Sequence, residues 1–428
     1  MSQLSRPLVA AFLSASILTA CGGGGSSASA PGGVTVTAGE NQVSLNWNAE
    51  SGVEYWLWFK EGSTVAPGDK TASYRLKVSP PYLLTGLTND TQYAFSLNGR
   101  KDGGEGGPGS SPLTATPRLA ASSWTTGGTL GSGQTLRSVA YGLTTSSSST
   151  YSYVAVGDRG AIFRTPDTDA GRHYVSSAAL SWITPTGTAV DSSIDLKAVV
   201  YSTGIAKYIA VGSGGNIAYS TDISNWTTVP SATTGTTATL NAIASSGSTV
   251  VAVGDNGTIR YSTNGTSWSA PASVTPAVTA NLRGITYSTK GVWVAVGADG
   301  TVLTSTDASN WTATTQSGQL TAVSTVATTT NSVTTYYFVA VGSDGTVLTS
   351  TDASTWTTMV LGASLRTVAA GTRLVAMGSD GAIYTRELTG TTWTTQASPL
   401  PTTAMNGLIY AQNIYTAVGA NSSSVYAY

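Results

Sequence analysis

Short runs of alternating apolar and polar residues, broken by glycine and aspartate, fill most of this 428-residue chain. The pattern is densest in Val339–Met359, VAVGSDGTVLTSTDASTWTTM. It reads as two short strands joined by a tight turn, a second turn, and a third strand carrying tryptophan. Close copies of the first strand's motif follow one another: Val154-Ala-Val-Gly157, Ile209-Ala-Val-Gly212, Val251-Ala-Val-Gly254, Val294-Ala-Val-Gly297, Val339-Ala-Val-Gly342, Val375-Ala-Met-Gly378 and Thr416-Ala-Val-Gly419. An apolar strand precedes each, beginning at Leu136, Leu196, Leu240, Leu282, Leu320, Leu365 and Met405. One such unit cannot bury both of its faces. Repeats at this spacing with several strands each predict a β-propeller, and seven copies predict seven blades.

The tryptophans predict how the ring closes. Trp182, Trp226, Trp268, Trp311, Trp356 and Trp393 follow the first six units, whereas the seventh stops at Tyr428 without one. Trp124 lies before the first unit, so its strand is expected to complete the last blade and remove the open sheet edge. The expected fold class is therefore all-β, with a seven-bladed propeller over 118–428 closed by an N-terminal strand. Six or eight blades stay open because the first interval between copies is long.

Residues 34–117 carry a different pattern. Val34-Thr-Val-Thr and Val43-Ser-Leu-Asn-Trp47 alternate at period two, and Tyr55-Trp-Leu-Trp-Phe59 is a denser strand. Trp47 and the Leu87-x5-Tyr93 spacing resemble a fibronectin type III domain. That resemblance implies a two-sheet sandwich, with Trp47 in the core and the Tyr93 hydroxyl bonded back to the chain. Trp56 and Trp58 share the face opposite Tyr55. That face is either a ligand patch or part of a packed surface.

The first 33 residues read as an address and a tether. Arg6 precedes the apolar run Pro7–Ile17, which is too short to span a bilayer and has the length of a signal sequence core. Leu18-Thr-Ala-Cys21 resembles the bacterial lipobox. The resemblance implies cleavage before Cys21, lipidation of its thiol and, because Gly22 follows, an outer-membrane address. Cys21 is the only cysteine, so it has no disulfide partner. Gly22–Gly33 reads as a flexible linker.

Composition narrows the function. Only 10% of residues are charged and the net charge is −1, which excludes a nucleic-acid binder of the usual basic kind. The Ser-Thr-Asp-x-x-x-Trp turns, such as Ser305–Trp311 and Ser350–Trp356, resemble the Asp-box of sialidases, one residue shorter. The repeats also resemble the photosystem II stability and assembly-factor propellers. In those families the box is a folding device, which implies structural roles for Asp222, Asp307 and Asp352. A sialidase would need an arginine cluster, a Tyr–Glu pair and an acid. The propeller has Glu387 as its single glutamate and lacks the Arg-Ile-Pro motif, so a non-catalytic binding protein is expected. A degenerate carbohydrate hydrolase and a scaffold or assembly factor are the alternatives.

The candidate ligand residues are those at which the copies differ. The second residue of each leading strand is Arg137, Lys197, Asn241, Arg283, Thr321, Arg366 or Asn406, and equivalent positions converge at the channel mouth of a closed ring. Four cations there suit an anionic ligand, a glycan or an acidic peptide. The competing reading pairs them with turn aspartates Asp158, Asp255, Asp299, Asp344 and Asp380 of neighbouring blades. A second candidate is the insertion 167–181, with Asp167, Asp169, Arg172, His173 and Tyr174. Its Asp-x-Asp falls short of a calcium loop, and a lone histidine excludes a multi-His zinc site. No metal and no cofactor is expected. The expected partners are the membrane, through the lipid, and a protein or glycan ligand.

Overall fold

The computed structural model describes residues 25–128, 133–145, 150–166, 168–169 and 181–427. The signal segment, Cys21, Asp167, Arg172, His173 and Tyr174 lie outside them. The chain divides into two compact units. One comprises Met1–Thr35, Asn46–Tyr82 and Tyr93–Thr114; the other comprises Val36–Leu45, Leu83–Gln92 and Ala115–Tyr428. Among the described residues no helix is long and apolar enough to cross a membrane.

The first unit is built on a sheet in which Tyr93–Lys101 pairs with Val53–Glu61, and that strand with Ser73–Val78. Residues of Val53–Glu61 alternate as expected: Tyr55, Leu57 and Phe59 are buried, while Trp56 and Trp58 are half-buried on the other face. Trp47 is buried and meets Tyr55 edge-on at 5.5 Å. The Trp58 indole donates to Asn98 Oδ1, and Arg100 lies over the Trp56 ring at 4.8 Å. That aromatic face stays partly open: Trp56 and Trp58 are half-buried, and Leu76 and Tyr74, which pair with them across the sheet, are exposed. The Tyr93 hydroxyl lies 3.5 Å from Glu61 Oε1. Part of the expected linker is not free. Ser26–Ser27 pairs with Arg100 and Lys101, and Ala28 donates its N–H to Gly99. The edge of Tyr93–Lys101 offers unpaired backbone groups, and a chain of small residues can lie against them. A three-stranded sheet of Thr35–Gly39, Gln42–Asn46 and Tyr82–Thr85 belongs mostly to the second unit.

From residue 125 on, the described residues form seven sheets, antiparallel except for the parallel pairing of Ser273–Thr275 with Asn310–Thr315, and here numbered one to seven in chain order of their leading strands. The leading strands are Leu136–Leu143, Leu196–Ser202, Leu240–Ser245, Leu282–Ser288, Leu320–Thr330, Leu365–Ala370 and Met405–Ala411. Each packs against the next, and the seventh packs against the first. This closed ring of radial sheets is a β-propeller. Thr125–Thr126 pairs with Tyr426 and Val425, so the outer strand of sheet seven comes from the segment just ahead of sheet one. Trp124, just before it, is buried against Tyr415 at 6.3 Å between ring centroids.

The core lies between the sheets, and the Val-Ala-Val repeat is its unit. In sheet two, Ala210 faces sheet one while Ile209 and Val211 face sheet three. Sheets three, four and five repeat the arrangement with Ala252, Ala295 and Ala340. A small side chain on one face and larger ones on the other let flat sheets wedge together at a constant hand. The residue after the variable second position of each leading strand is also small where leading strands approach. A Cβ at Gly284 would lie 2.9 Å from Ala322 Cα, and one at Gly407 would lie 2.7 Å from Ser138 Cα. Glycine at these two positions allows the backbones to meet.

Candidate functional site

All seven leading strands carry a β-bulge at the same place. Their pairing with the second strand skips from Leu136 to Ser138, Leu196 to Ala198, Leu240 to Ala242, Leu282 to Gly284, Leu320 to Ala322, Leu365 to Thr367 and Met405 to Gly407. The skipped residue in each case is the variable slot residue. A bulge frees a residue from the ladder and re-aims its side chain. Here all seven are turned to one place. Arg137, Lys197, Asn241, Arg283, Thr321, Arg366 and Asn406 line a single cavity of about 530 Å³, with Asp255, Ser343 and Ser364.

The three neutral slots tie the ring. Asn241 Nδ2 donates to Leu282 O at 2.9 Å, Thr321 Oγ1 to Leu365 O at 3.1 Å, and Asn406 Nδ2 to Leu136 O at 2.8 Å. Each acceptor is the leading residue of the next sheet, and the last bond crosses the seam where the ring closes.

The four cations divide into two pairs. Arg137 makes a bidentate bond to Asp158, Nε to Oδ1 at 2.9 Å and Nη2 to Oδ2 at 2.7 Å. That carboxylate holds the Arg137 guanidinium above its ordinary pKa. Lys197 Nζ lies 3.4 Å from Asp158 and 3.2 Å from Asp195. Asp195 is held below the usual carboxylate range, chiefly by the Arg159 backbone N–H. Arg283 has no hydrogen-bond or ion-pair partner among the described residues. Arg366 donates to the neutral Asn406 Oδ1 at 2.9 Å and has no carboxylate partner there.

The competing reading, in which aspartates of neighbouring blades neutralise the slot cations, therefore holds for one of the four among the described residues. Arg137–Asp158 lies within one sheet, and Lys197–Asp158 is the one pair that bridges two blades. The physical reason is a one-residue offset in the turn. The residue directly after the repeat glycine faces the slot: Asp158 bonds Arg137 and Asp255 bonds Asn241. In sheets four and six that position is Ala298 and Ser379. Asp299, Asp344 and Asp380 stand one residue later and are spent elsewhere. Asp299 accepts from Gln319 Nε2, Asp344 from the N–H groups of Gln319 and Thr346, and Asp380 from the N–H of Ala382.

The cup is thus polar and electrostatically lopsided. Asp158 and Asp255 lie on the side of sheets one to three, and uncompensated guanidinium groups lie on the side of sheets four and six. Its lining holds no histidine or cysteine, and its one carboxylate, Asp255, is bonded to Asn241. The chemistry of the unpaired guanidinium groups in this lining suits an anion. Among the described residues no group of three His, Cys, Asp or Glu side chains is placed to hold a metal ion. The turn aspartates serve as read from sequence: Asp222, Asp307 and Asp352 each accept two backbone N–H groups of their own turn.

The model of the DUF6242 beta propeller domain matches residues 285–420. No curated protein matches the chain. Among solved structures, YCF48 bound to D1 peptide superposes with a TM-score of 0.53 at 15% identity, covering 71% of this chain and 94% of that one. A chain of the mitotic checkpoint complex and the WD40 beta propeller domain of Doa1 each give a TM-score of 0.51 at 11% identity. Both cover 71% of this chain, and 93% and 97% of their own. These likenesses are likenesses of fold.

Proposed function

We propose that the propeller is a non-catalytic binding module that holds an acidic peptide segment of a protein partner in its central cup. The observation that carries this reading is the pair Arg283 and Arg366. They line the same cavity as Arg137 and Lys197 but lack the carboxylates that occupy those two. A guanidinium without a counter-charge, half-buried at Arg283 and exposed at Arg366, is a ready partner for a ligand carboxylate, and a paired one is not. A propeller of similar fold, YCF48, is bound to a peptide in its own structure, which supports a peptide as the class of ligand.

The test is fluorescence anisotropy of a labelled oligoglutamate peptide with the full chain. Arg283→Gln with Arg366→Gln weakens binding about tenfold or more, the range for losing charge-assisted hydrogen bonds, while the thermal midpoint stays near that of the wild type. Arg137→Gln does the opposite: it lowers the midpoint and leaves affinity within about twofold. Wild-type affinity in the double variant, or equal binding of oligoglutamine or an oligosaccharide in the cup, overturns the reading.

Three further parts of the reading accompany it. The seven sheets are seven blades, a count that an experimental structure with six or eight would overturn. The sheets of residues 34–117 are a fibronectin type III spacer, supported by the buried Trp47 and the alternation of Val53–Glu61. Cys21 is a lipid-attachment residue that places the protein at the outer membrane, supported by Leu18-Thr-Ala-Cys21 after a short apolar run. Cys21→Ser is expected to move the protein from the membrane fraction to the soluble fraction and to abolish acyl labelling; labelling that persists rules the anchor out.

A further inference from the structure

The third strand of most sheets ends on a serine. Ser220 stands opposite Tyr208, Ser262 opposite Val250, Ser305 opposite Trp293 and Ser350 opposite Phe338. Each serine bonds the carboxylate or amide of the box that follows, at 2.9 to 3.2 Å. In sheet six the same register position, opposite Leu374, is Arg386, and the box itself is absent from Glu387–Trp393.

A guanidinium thus occupies a position built for a hydroxyl, and it is 8% exposed. Its Nε is buried without a hydrogen-bond partner. Among the described residues no carboxylate stands within ion-pair distance of it. The neighbouring Glu387 lies 3.0 Å from Arg373 Nε instead. The contact Arg386 does make is with the Trp393 ring, at 5.6 Å. Burial disfavours its charged form and lowers its pKa. A charge held this deeply is costly unless something pairs with it.

Arg386 lines a cavity of about 850 Å³ between sheets five and six, away from the central cup. The wall combines apolar surface from Tyr337, Met359 and Leu388 with hydroxyls such as those of Thr349, Thr357 and Thr391. Asp352 is also on the wall, with its Oδ1 engaged by the N–H groups of Ser354 and Thr355. One unpaired cation, a row of hydroxyls and an aromatic face match a ring that carries one carboxylate and several hydroxyl groups.

We propose that this cleft is a second ligand site, for a carboxylated sugar such as a hexuronate residue, with Arg386 pairing its carboxylate. The hydroxyl-rich wall favours a sugar acid over an acyl carboxylate, which would need an apolar sleeve. The site is independent of the peptide reading of the cup, and either can fail without the other.

Isothermal titration of the full chain with glucuronate and with a trigalacturonate tests it, against glucose and octanoate. Both uronates bind if a single ring suffices; the trisaccharide alone binds if the site reads a glycan chain; either supports the proposal. Arg386→Ser restores the residue that four other sheets carry, so it is expected to fold with a thermal midpoint at or above that of the wild type. It binds uronate about tenfold or more weakly, keeps oligoglutamate binding unchanged, and loses the rise in midpoint that uronate gives the wild type. Equal affinity for glucose, preference for octanoate, or unchanged uronate binding by Arg386→Ser overturns the proposal. So does a lower midpoint for ligand-free Arg386→Ser, which would mean that the guanidinium is satisfied within the fold.

Discussion

Asp307 holds its turn by accepting the backbone N–H groups of Ser309 and Asn310 and the side-chain amide of Asn310. Those bonds favour the ionised form and hold its carboxyl well below the usual range, and the same is true of Asp352, through Thr355 first. Asp69, in the other unit, is held down to about 2 by the Lys60 ammonium. A carboxylate whose folded pKa is lowered contributes stability above its unfolded value near 3.9 and loses that contribution as pH falls toward the folded one. The thermal midpoint is therefore expected to fall as pH drops below about 4. Asn264 shows how to separate the cap from the charge, because its Oδ1 accepts from the N–H groups of Thr266 and Ser267 in the same way. Asp307→Asn with Asp352→Asn is expected to change the midpoint little at pH 7 and to flatten the acid decline. An unaltered acid slope in calorimetry would show that other groups cause it.

Elements differ in how far the sequence announces them. The Val-Ala-Val strands were readable because both of their faces are buried, which forces continuous apolar residues whatever the neighbours are. The slot residues stood out as the positions at which copies vary. The bulge that aims them did not, since a skipped residue depends on register with a partner strand and leaves no composition signal. Pairing of the slots stayed open between two readings for a related reason. Asp158 and Asp299 both belong to Asp/Gly-containing turns, yet a step of one residue sends the first to Arg137 and the second to Gln319. Counting from the repeat glycine would have separated them. Ser26–Ser27 escaped notice because small polar residues carry no strand preference, and the sheet edge that recruits them comes from residues 93–101. Arg386 was equally visible in principle, as the one arginine in a column that holds serine in four other sheets, but the column exists only once the third strands are aligned.

At the scale of the molecule, sheet seven decides whether the ring is closed. Trp124 is buried, donates its indole N–H to Ala121 O, and packs with Met377, Met405 and Val425. Trp124→Ala is expected to destabilise the propeller by about 3–5 kcal/mol, the usual cost of emptying a buried tryptophan site, although the residue lies far in sequence from the sheet that it completes. Denaturant unfolding measures this; a loss below about 1 kcal/mol would show that the closing strand is dispensable.

That seam also sets an order of events. Thr125 meets Tyr426, and Asn406 meets Leu136, across nearly the whole length of the propeller segment. Contacts of such separation carry a large loop-closure entropy and form late. During synthesis sheets one to six can assemble on one another as they emerge, but the strand at 125–126 has no partner until residues 424–427 have been made. For that interval the nascent chain is an open arc with an apolar face at each end. Its vulnerability to aggregation lies in the time spent waiting for the strand at 424–427.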